Sequence, residues 1–217
     1  MASISPQRVN AEKVLVIACG MIAREVIALK ERLELDHLEL TCLPAEFHYR
    51  PERIPPALDA AIIKARAEGY DHIFVGYADC GTAGDLDRVC EAHGVARIAG
   101  PHCFAFYQGL DTFGRIGEAD MTSFYMTDFL CRHFDAFFMK PMGLDRHPEL
   151  AKDFFGNYEK VIYLAQTDDA ALEAVAVRAA EMLGLAYERR FTGYGDLAPA
   201  LKKAHEAATR ERPARRF

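Results

Sequence analysis

The chain predicts an α/β protein: a mainly parallel β-sheet with helices on both faces, Rossmann-like in plan. Three observations carry this. Short, unbroken apolar runs recur along the chain, as strands buried on both faces require. Stretches with helical spacing of apolar residues follow most of these runs. Between the two sit glycine, proline or Cys-Gly turns, so the pattern repeats as β-α units joined by right-handed crossovers.

The first strand is Lys13-Val-Leu-Val-Ile-Ala18, ending in Cys19-Gly20, and a helix follows with Ile22, Val26, Leu29 and Leu33 on one face. Leu38 to Leu43 reads as the second strand and runs into a polar loop through His48, Arg50 and Glu52. Pro55-Pro56 start a helix that Gly69 closes. His72 to Tyr77 is the third strand; Asp85 opens a helix ending at Gly94, and Val95 to Ile98 is a weaker fourth strand. Phe104 to Leu110 suits a short aromatic helix. The stretch 112–142 carries two readings, since Ser123 to Cys131 fits a strand feeding a helix or a helix throughout. A short helix after Pro148 precedes a clear strand at Val161 to Ala165. Gln166-Thr-Asp-Asp169 then caps a long amphipathic helix. Leu185 to Arg190 is the last strand, and Gly193 to Asp196 lead into the final helix.

This predicts an N-terminal extension at 1–12, one α/β domain at 13–207, and a basic tail at 208–217 containing Arg210, Arg212, Arg215 and Arg216. The likeness of Lys13-Val-Leu-Val-Ile-Ala18 to Lys160-Val-Ile-Tyr-Leu-Ala165 suggests two related lobes, about 13–110 and 111–207. With 26 basic against 32 acidic residues the net charge is −6, so no broad positive field favours nucleic acid. The apolar runs are too short to span a bilayer, and the first residues lack the apolar core of a secretion signal. Six cysteines without such a signal or a regular spacing imply reduced thiols and a cytoplasmic setting. Gly193-Tyr-Gly195 is too slight a glycine pattern to imply a nucleotide.

The residues that carry chemistry share a position. In an open parallel sheet, ligands bind beyond the carboxyl ends of the strands. Cys19 follows strand one, His48 to Glu52 strand two, Cys80 strand three, and His102-Cys103 strand four. Thiolate and imidazole suit zinc or iron, which makes Cys19, Cys80, His102 and Cys103 candidate ligands. A single buried cysteine is otherwise a small core residue, which is how Cys42, Cys90 and Cys131 read. Asp79 and His48 are candidate acid–base groups, Asp79 having an orienting role toward His102 or a helix cap as alternatives. Arg50, Glu52, Thr82, Tyr125 and Asp128 are candidate small-molecule contacts.

Ala18-Cys19-Gly20, Tyr77-Ala-Asp-Cys80-Gly81 and His102-Cys103 together resemble an uncharacterised bacterial and archaeal family, catalogued as a domain of unknown function. Arg50-Pro51-Glu52, Thr127-Asp-Phe-Leu130 and Phe155-Gly-Asn-Tyr158 are similar to a methylotrophy-associated branch of it. His102 and Cys103 are adjacent here, where many relatives place a residue between them. The resemblance implies a place in one-carbon metabolism beside corrinoid-dependent methyl transfer from methylated amines. The corrinoid-binding pattern Asp-x-His-x-x-Gly is absent from the chain, so the expectation is a partner that carries the corrinoid. The leading expectation is therefore a metal-binding enzyme or accessory metalloprotein serving that system. The alternatives are a cofactor-independent two-cysteine racemase-like enzyme, and a non-catalytic carrier of a metal or ligand.

Overall fold

The computed structural model describes residues 13–116 and 120–210. The expectations of an extension at 1–12 and of a tail beyond residue 210 lie outside the described residues; residues 208–210 are the last turn of the final helix. The chain forms two units: one runs to Cys103 and takes in the segment from Leu197 onward, and the other is Phe104–Asp196. Each is a parallel sheet with helices around it.

In the first unit, β1 (Val14–Cys19), β2 (Leu38–Leu43), β3 (His72–Gly76) and β4 (Ala96–Arg97) lie in the order β2-β1-β3-β4. All pairs are parallel. Residues 14–18 of β1 are buried throughout, as the unbroken apolar run requires of a central strand. The helices are α1 (Ala23–Arg32), α2 (Ile54–Ala67) and α3 (Asp85–His93). Leu58 and Ile62 of α2 and Leu86 of α3 pack with Ile17 of β1 and Val75 of β3 in one core. Gly94 ends α3 with φ 61°, the left-handed position a helix C-terminus reserves for glycine.

The second unit holds α4 (Cys103–Gln108), which begins at the last residue of the first, and α5 (Leu110–Ile116). Next come β5 (Ser123–Thr127) and α6 (Asp128–Arg132), so the ambiguous stretch is a strand feeding a helix. A π-helical turn (Asp135–Met139) and α7 (Ala151–Phe155) precede β6 (Lys160–Ala165), α8 (Ala170–Leu183) and β7 (Ala186–Phe191). The order is β5-β6-β7, again parallel. Asp128 fastens the strand ends of this sheet. Its fully buried carboxylate accepts from the Tyr163 hydroxyl at 2.7 Å, Gln166 N at 3.0 Å and Thr167 N at 3.1 Å. The final helix, α9 (Leu197–Arg210), returns to the first unit, where it contacts β1. Among the described residues, no helix is long and apolar enough to cross a membrane.

Candidate functional site

The strand order of the first unit creates a crevice. From β1 the chain goes to β2 on one side, then crosses to β3 on the other. The carboxyl ends of β1 and β3 therefore flank the point where the winding reverses, the place where such sheets bind ligands. Ala18 pairs with Gly76, so the next residues, Cys19 and Tyr77, leave the sheet side by side. On the other flank Cys19 pairs with Leu43.

Close approach of the backbone holds Cys19 in place. A Cβ on Gly76 would come within 2.9 Å of Ala18 Cβ, so only glycine lets the two strand ends sit this near. A Cβ on Gly20 would stand 3.1 Å from both Leu43 O and Ala45 N. Cys19 caps the 3-10 turn Gly20–Ile22, and its Sγ accepts from Met21 N at 3.5 Å.

Cys80 is presented by an unusual loop. Cys80 has φ 51° and Ala83 φ 52°, left-handed values that non-glycine residues seldom adopt. The loop is tied at its base by Asp79 N to Gly100 O at 3.0 Å and Cys80 N to Pro101 O at 2.8 Å. The Asp79 carboxylate organises its interior, accepting from Gly84 N at 2.9 Å and the Thr82 hydroxyl at 3.0 Å. The Gly84 hydrogen bond is the largest of the influences that hold the Asp79 pKa below the usual carboxylate range. Asp79 is thus an ionised loop anchor and a weak proton acceptor near neutral pH. Thr82 is buried with its hydroxyl on Asp79, so it too serves the loop. Backbone strain beside a crevice is a recurrent property of functional sites.

Cys19, Cys80 and Tyr77 form one electrostatic group. Burial pushes the Cys80 thiol up to about 12, and the charges of Cys19 and Asp79 add to this while Arg97 opposes it. Burial also raises Cys19, against the Met21 N–H and the Tyr77 hydroxyl, which favour its thiolate. Tyr77 is 2% exposed, and its hydroxyl makes no regular hydrogen bond. It faces the Cys19 sulfur too loosely for one, yet closely enough that each shifts the other; Tyr77 is raised by burial first and by Cys19 next. Cys42, near the end of β2, is exposed and not the core residue its place in an apolar run suggests, since it lies on the open side of this strand end; partial desolvation and then Cys19 raise its pKa to about 11. Neutral thiols therefore prevail here at pH 7. A second negative charge in the crevice is disfavoured unless a cation accompanies it.

The other expected site residues divide. The loop with His48, Arg50 and Glu52 reaches the same rim: a Cβ on Gly81 would touch Pro51 at 3.6 Å. Arg50 and Glu52 are exposed on it. His48 has an open face but is crowded by protein elsewhere, and this desolvation lowers its pKa. His102 follows the Gly100-Pro101 segment that ties down Cys80, and burial lowers its pKa. Cys103 begins α4. Tyr125 and Asp128 belong to the second unit. There Tyr125 donates to Asp120 at 3.1 Å, and Asp128 holds the strand ends already described. Tyr77 was not among the candidate site residues read from the sequence, although it opens the Tyr77-Ala-Asp-Cys80-Gly81 motif. The structure ends β3 at Gly76, which places Tyr77 just beyond the strand, one residue past the glycine that lets β1 come close.

The donor chemistry suits a soft or borderline metal, zinc or iron. The donor number does not suit a closed tetrahedron: among the described residues no three His, Cys, Asp or Glu side chains are grouped to hold a metal ion. What converges is a thiol pair with a buried phenol. None of the six cysteines is in a disulfide.

Fold and site together define a doubly wound parallel α/β protein with a paired-thiol crevice at its β1/β3 switch point. The chain belongs to the family described as "protein of unknown function (DUF1638)", which it matches over residues 42–201. That span contains Cys80, His102 and Cys103, and begins after Cys19. No curated protein and no solved structure matches the chain.

Proposed function

We propose that this protein binds a zinc or iron ion through Cys19 and Cys80, leaving the remaining coordination positions to a small substrate or to a partner. In this reading it acts as a metal-dependent enzyme or accessory metalloprotein of corrinoid-dependent methyl transfer from methylated amines. The observation that carries the binding site is the convergence of the two thiols with Tyr77 at the switch-point crevice. An ion there supplies Lewis acidity. The chain supplies the rest: two thiols that ionise together only when a cation arrives, a buried phenol behind Cys19, and a loop whose strained backbone aims Cys80. The methyl-transfer setting rests on the motif resemblance: Ala18-Cys19-Gly20, Tyr77-Ala-Asp-Cys80-Gly81 and His102-Cys103 for the family, with Arg50-Pro51-Glu52, Thr127-Asp-Phe-Leu130 and Phe155-Gly-Asn-Tyr158 for its methylotrophy-associated branch.

Zinc titration of the apo-protein under anoxic conditions tests the site. The expected result is one ion per chain with release of about two protons near neutral pH, because both thiols start protonated. Cys19→Ser and Cys80→Ser should each remove most of the affinity, whereas Cys90→Ser, altering a core cysteine, should not. Equal binding by all three variants refutes the assignment. In the metal-free two-cysteine proton exchange, the chelated protein would move solvent deuterium into the α-carbon of an amino acid. Such exchange would replace the metal reading.

A further inference from the structure

The other unit holds a cavity whose reading does not depend on the thiol crevice. Between α6, the π-helical turn and α8 is a cavity of about 570 Å³, within the size range of small-molecule pockets. Much of its wall is apolar, through Phe134, Met139, Val175 and Met182, and two guanidiniums, Arg132 and Arg178, reach it. The turn Asp135–Met139 is π-helical, with Lys140 N bonded to Asp135 O at 3.0 Å. That geometry is rare and recurs at functional sites.

The charges on this wall select the ligand. Arg132 is engaged by the buried Asp128 at 3.3 Å. Arg178 is exposed and makes no ion pair among the described residues. Asp135 lines the same cavity, which disfavours a second negative charge there. The exposed imidazole of His133 lines the cavity as well; one available guanidinium and this imidazole beside one carboxylate match a single anionic group, and a planar carboxylate fits the guanidinium fork. The apolar wall then asks for several carbons behind that group.

We propose that this cavity binds a monocarboxylate with an apolar tail, its carboxylate on Arg178 and its tail over Phe134, Met139, Val175 and Met182.

Octanoate is the probe, added to the full-length chain carrying ¹³C-methyl methionine. The expected result is saturable shifting of the Met139 and Met182 methyl signals, with the other five of the seven methionines little changed. Arg178→Gln, at an exposed position that the fold does not need, should weaken binding about tenfold, the usual scale of a charge-assisted hydrogen-bonded pair. Octan-1-ol, with the same chain and no charge, should bind about tenfold more weakly than octanoate for the same reason. Ala136→Phe, placed to fill the cavity from its exposed wall, should abolish the shifts. No saturable shift, or shifts spread evenly over all methionines, overturns the proposal. So does equal affinity of octanoate for wild type and Arg178→Gln. Inorganic phosphate moving the same methyl signals as strongly as octanoate overturns the carboxylate assignment.

Discussion

Comparing Cys80→Gly with Cys80→Ala isolates the backbone that presents the thiol. Both variants lack the sulfur, so its packing and ionisation largely cancel between them. At φ 51° an alanine carries about 1–2 kcal/mol of left-handed strain that glycine escapes. Glycine in turn loses about 0.5–1 kcal/mol through the greater freedom of its unfolded chain. The balance favours Cys80→Gly by about 0.5–1 kcal/mol, which corresponds to about 1–4 °C in melting temperature for a chain of this size. At an ordinary position the sign is opposite, with alanine the more stable. Calorimetry of the two variants at one pH and one scan rate measures the difference. If Cys80→Ala melts at or above Cys80→Gly, the strained presentation of Cys80 is refuted. Both variants should lose zinc binding, so the more stable one would still be inactive at the site.

Asp79→Asn should destabilise the chain by roughly 1–2 kcal/mol at pH 7, since the loop loses a charged acceptor. Because the folded Asp79 pKa is depressed, its contribution is present above the unfolded value near pH 4 and is lost as pH falls through the lower folded value. Denaturation curves of wild type and variant should therefore converge in acid; a constant gap down to pH 2 would contradict this. Alkylation of Cys80 by iodoacetamide should be slow at pH 8 and still rising at pH 10, since the thiol is pushed up to about 12. A rate that levels off near pH 8 would show an ordinary thiol. Gly76→Ala should cost about 1–3 kcal/mol through overpacking against Ala18, and a melting temperature equal to wild type would refute the close approach of β1 and β3.

The strands were legible because their burial is so one-sided. Val14–Ala18 and Val161–Ala165 are apolar without interruption, and in the structure both runs are buried throughout. The stretch from Thr112 to Met142 was harder because Ser123–Cys131 changes element inside one apolar run. Thr127 caps the helix there, its hydroxyl accepting from Leu130 N at 3.5 Å, and a hydroxyl in that place suits a strand equally. The positions of Cys19 and Cys80 at strand ends followed from the glycines beside them. Tyr77 appeared in the sequence only as the end of strand three and the start of the Tyr77-Ala-Asp-Cys80-Gly81 motif, because a tyrosine closing a strand is ordinary until its hydroxyl is known to be buried near a thiol. Asp79 and Thr82 looked like chemistry from their residue types, and the turn geometry shows what they hold. For Asp128 the sequence shows a carboxylate at a strand end, while its partners Tyr163, Gln166 and Thr167 come from a distant segment that only the structure brings to it.

In the proposed metal site Cys19 and Cys80 hold one ion together. X-ray absorption of the zinc-loaded protein counts the sulfurs directly. Two sulfur neighbours per zinc are expected at about 2.3 Å, with nitrogen or oxygen in the remaining positions, falling to one sulfur or to no bound zinc in Cys80→Ser. A wild-type spectrum with no sulfur neighbours, or one unchanged in Cys80→Ser, would contradict it.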